Sequence, residues 1–189
     1  MKKLLAVAGA AAVVLTACQD DGAAGSNEAA QANAPAEAPE GTLAEAIADG
    51  NNGKFREAIR TAGLEPTLRG PGPYTILVPS DAAFAKLPAG TVEGLMKPEA
   101  RGDLTTVLTY HILPGTILVA DIDRAIDNGG GKAVLATMEG KTLTATREGQ
   151  NIVLTDQAGS KATITGAEKA TGNGVLHEVD AVLLPEKIS

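Results

Sequence analysis

Apolar residues follow a helical period through the first half of this chain and a strand period after Gly129. Thr42-Leu43-Ala44-Glu45 is a capping-box pattern, with Thr42 as cap and Glu45 reaching back, so a helix starts there and stops by Gly50-Asn51-Asn52-Gly53. Phe55, Ala58, Ile59 and Ala62 then share one face of a second helix that ends at Gly63. Gly70-Pro71-Gly72-Pro73 predicts a turn and Tyr74 to Val78 a buried strand. Ser80 or Asp81 caps a short helix carrying Ala82, Ala83 and Phe84. Glu99 to Ile112 reads as the longest helix, with Leu104, Leu108 and His111 on one stripe beside Val107, and Pro114-Gly115 ending it. One more short helix covers Asp121 to Asn128.

Beyond it the pattern predicts strands at Ala133 to Thr137, Lys141 to Arg147, Asn151 to Thr155 and Ala162 to Thr165. Turn residues such as Glu148-Gly149-Gln150 punctuate them. A last strand, Gly174 to Leu184, is entered through Gly172-Asn173-Gly174. Helices lead and strands follow, so the expected class is α+β in a single domain over residues 41–189.

Residues 1–17 carry a different signal. A basic start (Lys2, Lys3) precedes an unbroken run of Ala, Val, Leu and Gly and then Leu15-Thr16-Ala17-Cys18. The run holds about a dozen apolar residues, where a membrane span takes about 20. The segment resembles a bacterial lipoprotein signal, which implies cleavage before Cys18, acylation of its thiol and attachment to a membrane through that lipid. A plain signal peptide with an incidental cysteine is the bland alternative. Cys18 is the single cysteine, so the folded part is expected to stand without a disulfide. Residues 18–40 are rich in Ala, Gly, Ser, Asn, Gln and Glu without a large apolar side chain, and are read as a disordered tether. Gln19, where some bacteria place an inner-membrane retention aspartate, tips the expected location to the outer membrane.

Charge and composition remove whole classes of function. The chain has 23 acidic and 16 basic residues, and loses Lys2 and Lys3 with the signal. Such an acidic chain does not neutralise phosphates, which argues against nucleic acid and against charge-driven binding to anionic lipid. Phe55, Tyr74, Phe84 and Tyr110 are all the aromatics, too few for a sugar- or base-stacking platform.

Candidate chemistry is sparse. Ser26, Ser80, Ser160 and Ser189 are the serines, none within Gly-x-Ser-x-Gly, and Ser80 has a capping role available. No catalytic residue is assigned, and no enzyme is expected. Asn128 to Ala133 lacks the spacing and the hydroxyl of a phosphate loop, and Asp121, Asp123 and Asp127 lack a calcium loop's glycine. Two histidines far apart, His111 and His177, give no metal-ligand spacing, so neither a metal nor a cofactor is expected. His111 lies on the apolar face of the long helix and His177 alternates with Val175, Val179, Ala181 and Leu183 on one strand face, which suits core positions with hydrogen-bond partners.

Three segments in fixed order carry a family resemblance. Tyr74-Thr75-Ile76-Leu77-Val78-Pro79-Ser80-Asp81-Ala82-Ala83-Phe84, then Tyr110-His111, then Gly174-Val175-Leu176-His177-Glu178-Val179-Asp180-Ala181-Val182-Leu183-Leu184-Pro185 resemble the signature blocks of fasciclin domains, covering residues 41–186 in all. The resemblance implies a wedge of two β-sheets flanked by helices, a monomeric surface-displayed domain, and adhesion through a protein or polysaccharide partner. It also implies Tyr110 and His111 as candidate binding residues; if one of the pair faces outward it is Tyr110, since His111 shares the packed stripe. No integrin-type acidic motif lies beside them. Some relatives carry carotenoids or other apolar molecules, which implies the alternative of a small-molecule carrier needing a cleft of at least about 300 Å³.

Overall fold

The computed structural model of the chain describes residues 40–166 and 168–185. The signal segment, Cys18 and nearly all of the tether lie outside the described residues. Helix α1 (Leu43–Ala48) opens with the expected capping box: Thr42 Oγ1 accepts from Glu45 N at 3.3 Å and Glu45 Oε2 accepts from Thr42 N at 2.9 Å. Helix α2 (Gly53–Ala62) buries the four residues its period marks and ends on Gly63 at φ 77°. A short α3 (Glu65–Arg69), too brief to show a period, leads to strand β1 (Tyr74–Pro79). Ser80 caps α4 (Asp81–Ala85), accepting from Ala83 N at 3.2 Å. Asp81 instead caps α2 across space, accepting from Lys54 N at 2.9 Å and Gly53 N at 3.3 Å.

After α5 (Thr91–Leu95) and a 3₁₀ turn at Pro98–Ala100, helix α6 spans Arg101–Tyr110. It is shorter than the Glu99-to-Ile112 reading, because Ile112–Pro114 leaves it to form β2 against β1, with Ile112 opposite Ile76. β-branched Ile112 and a proline with no N–H suit a short edge strand better than a helix end. Helix α7 (Val119–Asn128) starts two residues before the expected Asp121, whose carboxylate accepts from Leu118 N at 3.3 Å. Strands β3 (Lys132–Ala136), β4 (Thr142–Glu148), β5 (Asn151–Thr155) and β6 (Lys161–Thr163) follow as a meander. Short β7 (Lys169–Thr171) was not expected, and β8 (Gly174–Val179) ends earlier than Leu184.

Two four-stranded sheets result, ordered β2-β1-β8-β7 and β3-β4-β5-β6. Strands β1 and β8, far apart in sequence, pair in parallel with Leu77 opposite His177. A bridge from Ile164 to Val179 joins the sheets. The first sheet is the wall between two cores. Ile76 and Val78 point to a helical core with Leu43, Ile47, Phe55, Ile59 and Leu104, while Leu77 points to a core between the sheets with Leu113, Ile122, Leu143 and Leu154. Glycine is required where β8 begins, since a Cβ on Gly174 would overlap Tyr74 O. Among the described residues, no helix is long and apolar enough to cross a membrane.

Candidate functional site

Tyr110 and His111 end α6 at the junction of the two cores, and each is 0% exposed. Adjacent positions on a helix diverge by about 100°, so the two rings enter different cores. The His111 ring stands edge-on to Phe55, with centroids 6.1 Å apart and planes at 60°. Its Nδ1–H donates to Val107 O at 2.8 Å, and its Nε2 accepts from Leu183 N at 3.1 Å. Both nitrogens are engaged and the ring is neutral. Burial pushes its pKa down to about 4, against smaller opposing effects of the Val107 carbonyl and Asp156. Tyr110 points between the sheets, where its hydroxyl donates to Thr142 O at 3.2 Å. Burial, chiefly, raises its pKa to about 12.

Neither member of the pair faces outward, Tyr110 included. Neither ring offers an atom to a surface partner. The pair ties α6 to β4 and to the segment after β8, so its chemistry is that of a structural lock.

His177 is also fully buried, on β8, and its Nε2–H donates to Ile117 O at 2.7 Å. Ile117 N donates to Thr75 Oγ1 at 2.8 Å, and the Thr75 hydroxyl donates to Gly115 O at 2.8 Å. Thr75 and His177 thus strap the α6–α7 connection onto the first sheet. His177 Nδ1 has no hydrogen-bond partner among the described residues.

Sequence reasoning missed a polar side chain that, among the described residues, ties several backbone segments together. Asn173, read only as a turn residue, is buried and accepts from Leu43 N at 2.8 Å through Oδ1. Its Nδ2 donates to Leu68 O at 2.8 Å and Gly70 O at 2.7 Å. It fastens the start of α1 and the end of α3 to the turn before β8. Buried Asp156 does similar work, accepting from Ser160 N at 2.7 Å and Leu184 N at 3.0 Å. Only the turn glycines around Asn173, which open room for a backbone approach, hinted at such a role.

Asp123 and Asp127 both pair with Arg147, and Asp121 with Arg124. Among the described residues, no group of three or more His, Cys, Asp or Glu side chains is placed to hold a metal. An apolar crevice lined by Phe55, Phe84, Leu95, Met96, Leu108 and Val182 encloses a free volume of about 20 Å³.

A family model described as "Fasciclin domain" matches residues 50–185. The chain is 34% identical over 128 residues to "Protein sll1483" of Synechocystis, covering 68% of this chain and 64% of that protein. To "Uncharacterized protein sll1735" of the same organism it is 31% identical over 139 residues, covering 74% and 93%. It therefore spans just under two thirds of the first relative and nearly all of the second. Among solved structures it is similar to a FAS1 domain pair from the insect cell adhesion molecule Fasciclin I. That match has TM-score 0.56 and 25% identity, covering 72% of this chain and 46% of that one. Its two four-stranded sheets with flanking helices are the fold of that neighbour. With the matching model covering most of its length, the chain belongs to the fasciclin domain family.

Proposed function

We propose that this chain is a lipid-anchored protein of the bacterial cell envelope, held in the outer membrane through Cys18, whose fasciclin domain binds a protein or polysaccharide in adhesion or matrix association. The observation that carries the reading is family membership over residues 50–185, together with a solved neighbour that comes from a cell adhesion molecule. The lock at Tyr110 and His111 is consistent with it: the motif stabilises a module whose outer surface does the binding, with no catalytic role. The carrier alternative gains nothing from the apolar crevice, because about 20 Å³ is far below the cleft of about 300 Å³ that a small-molecule site needs.

Two measurements test the reading separately. An epitope placed after Ser189 is stained on intact and on permeabilised cells with an antibody that cannot cross the envelope. Staining of intact cells is the expected result, and staining only after permeabilisation removes direct adhesion. In parallel, Cys18→Ala is expected to move the protein from membrane to soluble fractions. A Cys18→Ala chain that still sediments with membranes overturns the lipid anchor.

A further inference from the structure

The chain has six arginines, and all but one have a partner. Arg124 pairs with Asp121, Arg147 with Asp123 and Asp127, and Arg69 with Glu65. Arg101 donates to Ala62 O at 3.1 Å and Arg56 to Ala48 O at 2.8 Å. Arg60 is the one arginine that, among the described residues, makes no hydrogen bond or ion pair. A guanidinium carries five N–H donors in a planar fork that matches a carboxylate, and Arg60 leaves all of them open.

Arg60 lies on a groove between α1, α2 and α3 with a free volume of about 110 Å³. Arg56, Arg60 and Arg69 line its rim, and the buried side chains of Ile47, Ile59 and Leu68 form its floor. Arg56 and Arg60 stand one helical turn apart on α2, with about 5–6 Å between Cβ atoms, where like charges disfavour each other. Two carboxylates also line the groove, and each is already held. Glu65 is paired with Arg69, and Glu45 accepts from Thr42 N in the α1 capping box. Arg56 and Arg60 are thus neighbouring cations that pair with no carboxylate among the described residues.

We infer that this groove docks an acidic segment of a partner protein, with carboxylates on Arg56 and Arg60 and one aliphatic side chain on the floor beside them. The charges call for an anion, and the planar forks favour carboxylates taken two bonds at a time. The whole chain has a net charge of −7, so an acidic partner is repelled by the rest of the surface and held only where arginines gather. The floor decides between kinds of acidic partner. A polyuronate carries hydroxyls on every ring, which an aliphatic floor leaves unpaired, and no aromatic side chain lines the groove for a sugar to stack on. A peptide brings carboxylates and an aliphatic group together. A cavity of about 150 Å³ takes benzene, so about 110 Å³ has room for one branched aliphatic side chain. The inference deepens the adhesion reading and rests on it for a macromolecular partner, which it names as a protein.

The test is an NMR titration of the full chain carrying Cys18→Ala with the peptide acetyl-Glu-Glu-Leu-Glu-Glu-amide. The amide signals of Ala48, Arg56 and Arg60 are expected to shift together and saturate with a Kd on the order of 1 mM, as befits a small exposed contact. Changing the peptide's leucine to alanine, or all its glutamates to glutamine, is expected to weaken binding at least about fivefold in each case. Arg60 is exposed and unbonded, so Arg60→Gln leaves the fold intact; it is expected to weaken binding about tenfold. Arg60→Lys keeps the charge but not the fork and recovers only part of that loss. Shifts scattered over the surface, or none with millimolar peptide, overturn the groove. Equal binding by the alanine peptide, or by oligogalacturonate at matched carboxylate concentration, reduces the site to bare charge and overturns the protein partner. Shifts that grow with protein concentration in the absence of peptide assign the groove to a second copy and overturn it likewise. Each of these failures leaves the adhesion reading standing, since staining of intact cells tests that reading without the peptide.

Discussion

Replacing His111 with Gln separates the structural work of this ring from its charge. In the folded protein the ring is neutral and saturated, and burial holds its pKa at about 4 against the ordinary 6.5. A histidine whose folded pKa is depressed contributes its full stability above the unfolded pKa and loses it as pH falls through the folded one. The window here runs from pH 6.5 down to about 4. Within it the unfolded chain binds a proton that the folded chain refuses, at a cost of about 1.4 kcal/mol per pH unit. Over the window the loss sums to roughly 3 kcal/mol. His111→Gln keeps a polar group but cannot reproduce both bonds, so it costs about 1–3 kcal/mol at pH 7.5, where Leu183 N or Val107 O loses its partner. The assay is urea unfolding of both chains from pH 7.5 to 4, read as the difference between them. Carboxylates titrate in both and cancel, so the wild-type advantage shrinks through the window and is gone near pH 4. A difference that stays flat with pH would refute the neutral, dehydrated ring.

Three further substitutions, at two positions, probe the polar framework. Asn173→Ala removes three bonds to backbone groups, two of them buried, and is expected to cost about 3 kcal/mol or more by denaturant unfolding. Asn173→Asp, identical in shape, should be at least as damaging at neutral pH, because it turns a carboxylate onto the Leu68 and Gly70 carbonyls; recovery of most of the lost stability by Asp would contradict the bonding scheme. Tyr110→Phe deletes one bond, to Thr142 O, and should cost about 1 kcal/mol while leaving surface binding unchanged; loss of binding without loss of stability would restore Tyr110 as a contact residue.

What the chain disclosed about itself depended on the range of the interaction. The capping box at Thr42 and Glu45, the α2 stripe and the Gly63 stop are local, and each stands where the pattern places it. The end of α6 was misread because Leu104, Leu108 and His111 continue one stripe to the helix cap, while the strand that follows is defined only by its distant partner β1. β7, three residues long, has no period to detect. Asn173 was invisible for the same reason on a larger scale: its ties reach Leu43 and Leu68, more than a hundred residues back. A lone Asn between glycines reads as a turn whether or not its amide holds three backbone groups.

Tyr110 and His111 show where motif reasoning and surface reasoning part. The pair looked like a binding element because it is a family signature, yet its bonds to Thr142, Val107 and Leu183 account for both residue types without any partner. Only a ring with a donor and an acceptor on opposite sides can bridge Val107 O and Leu183 N, and only a long aromatic with a terminal hydroxyl can fill the gap between sheets and still reach Thr142 O. The residues that define the fold are therefore a poor guide to what the domain touches. Contacts are made by groups that the fold leaves exposed, and among the described residues Val134 and Met138 are the most exposed large apolar side chains.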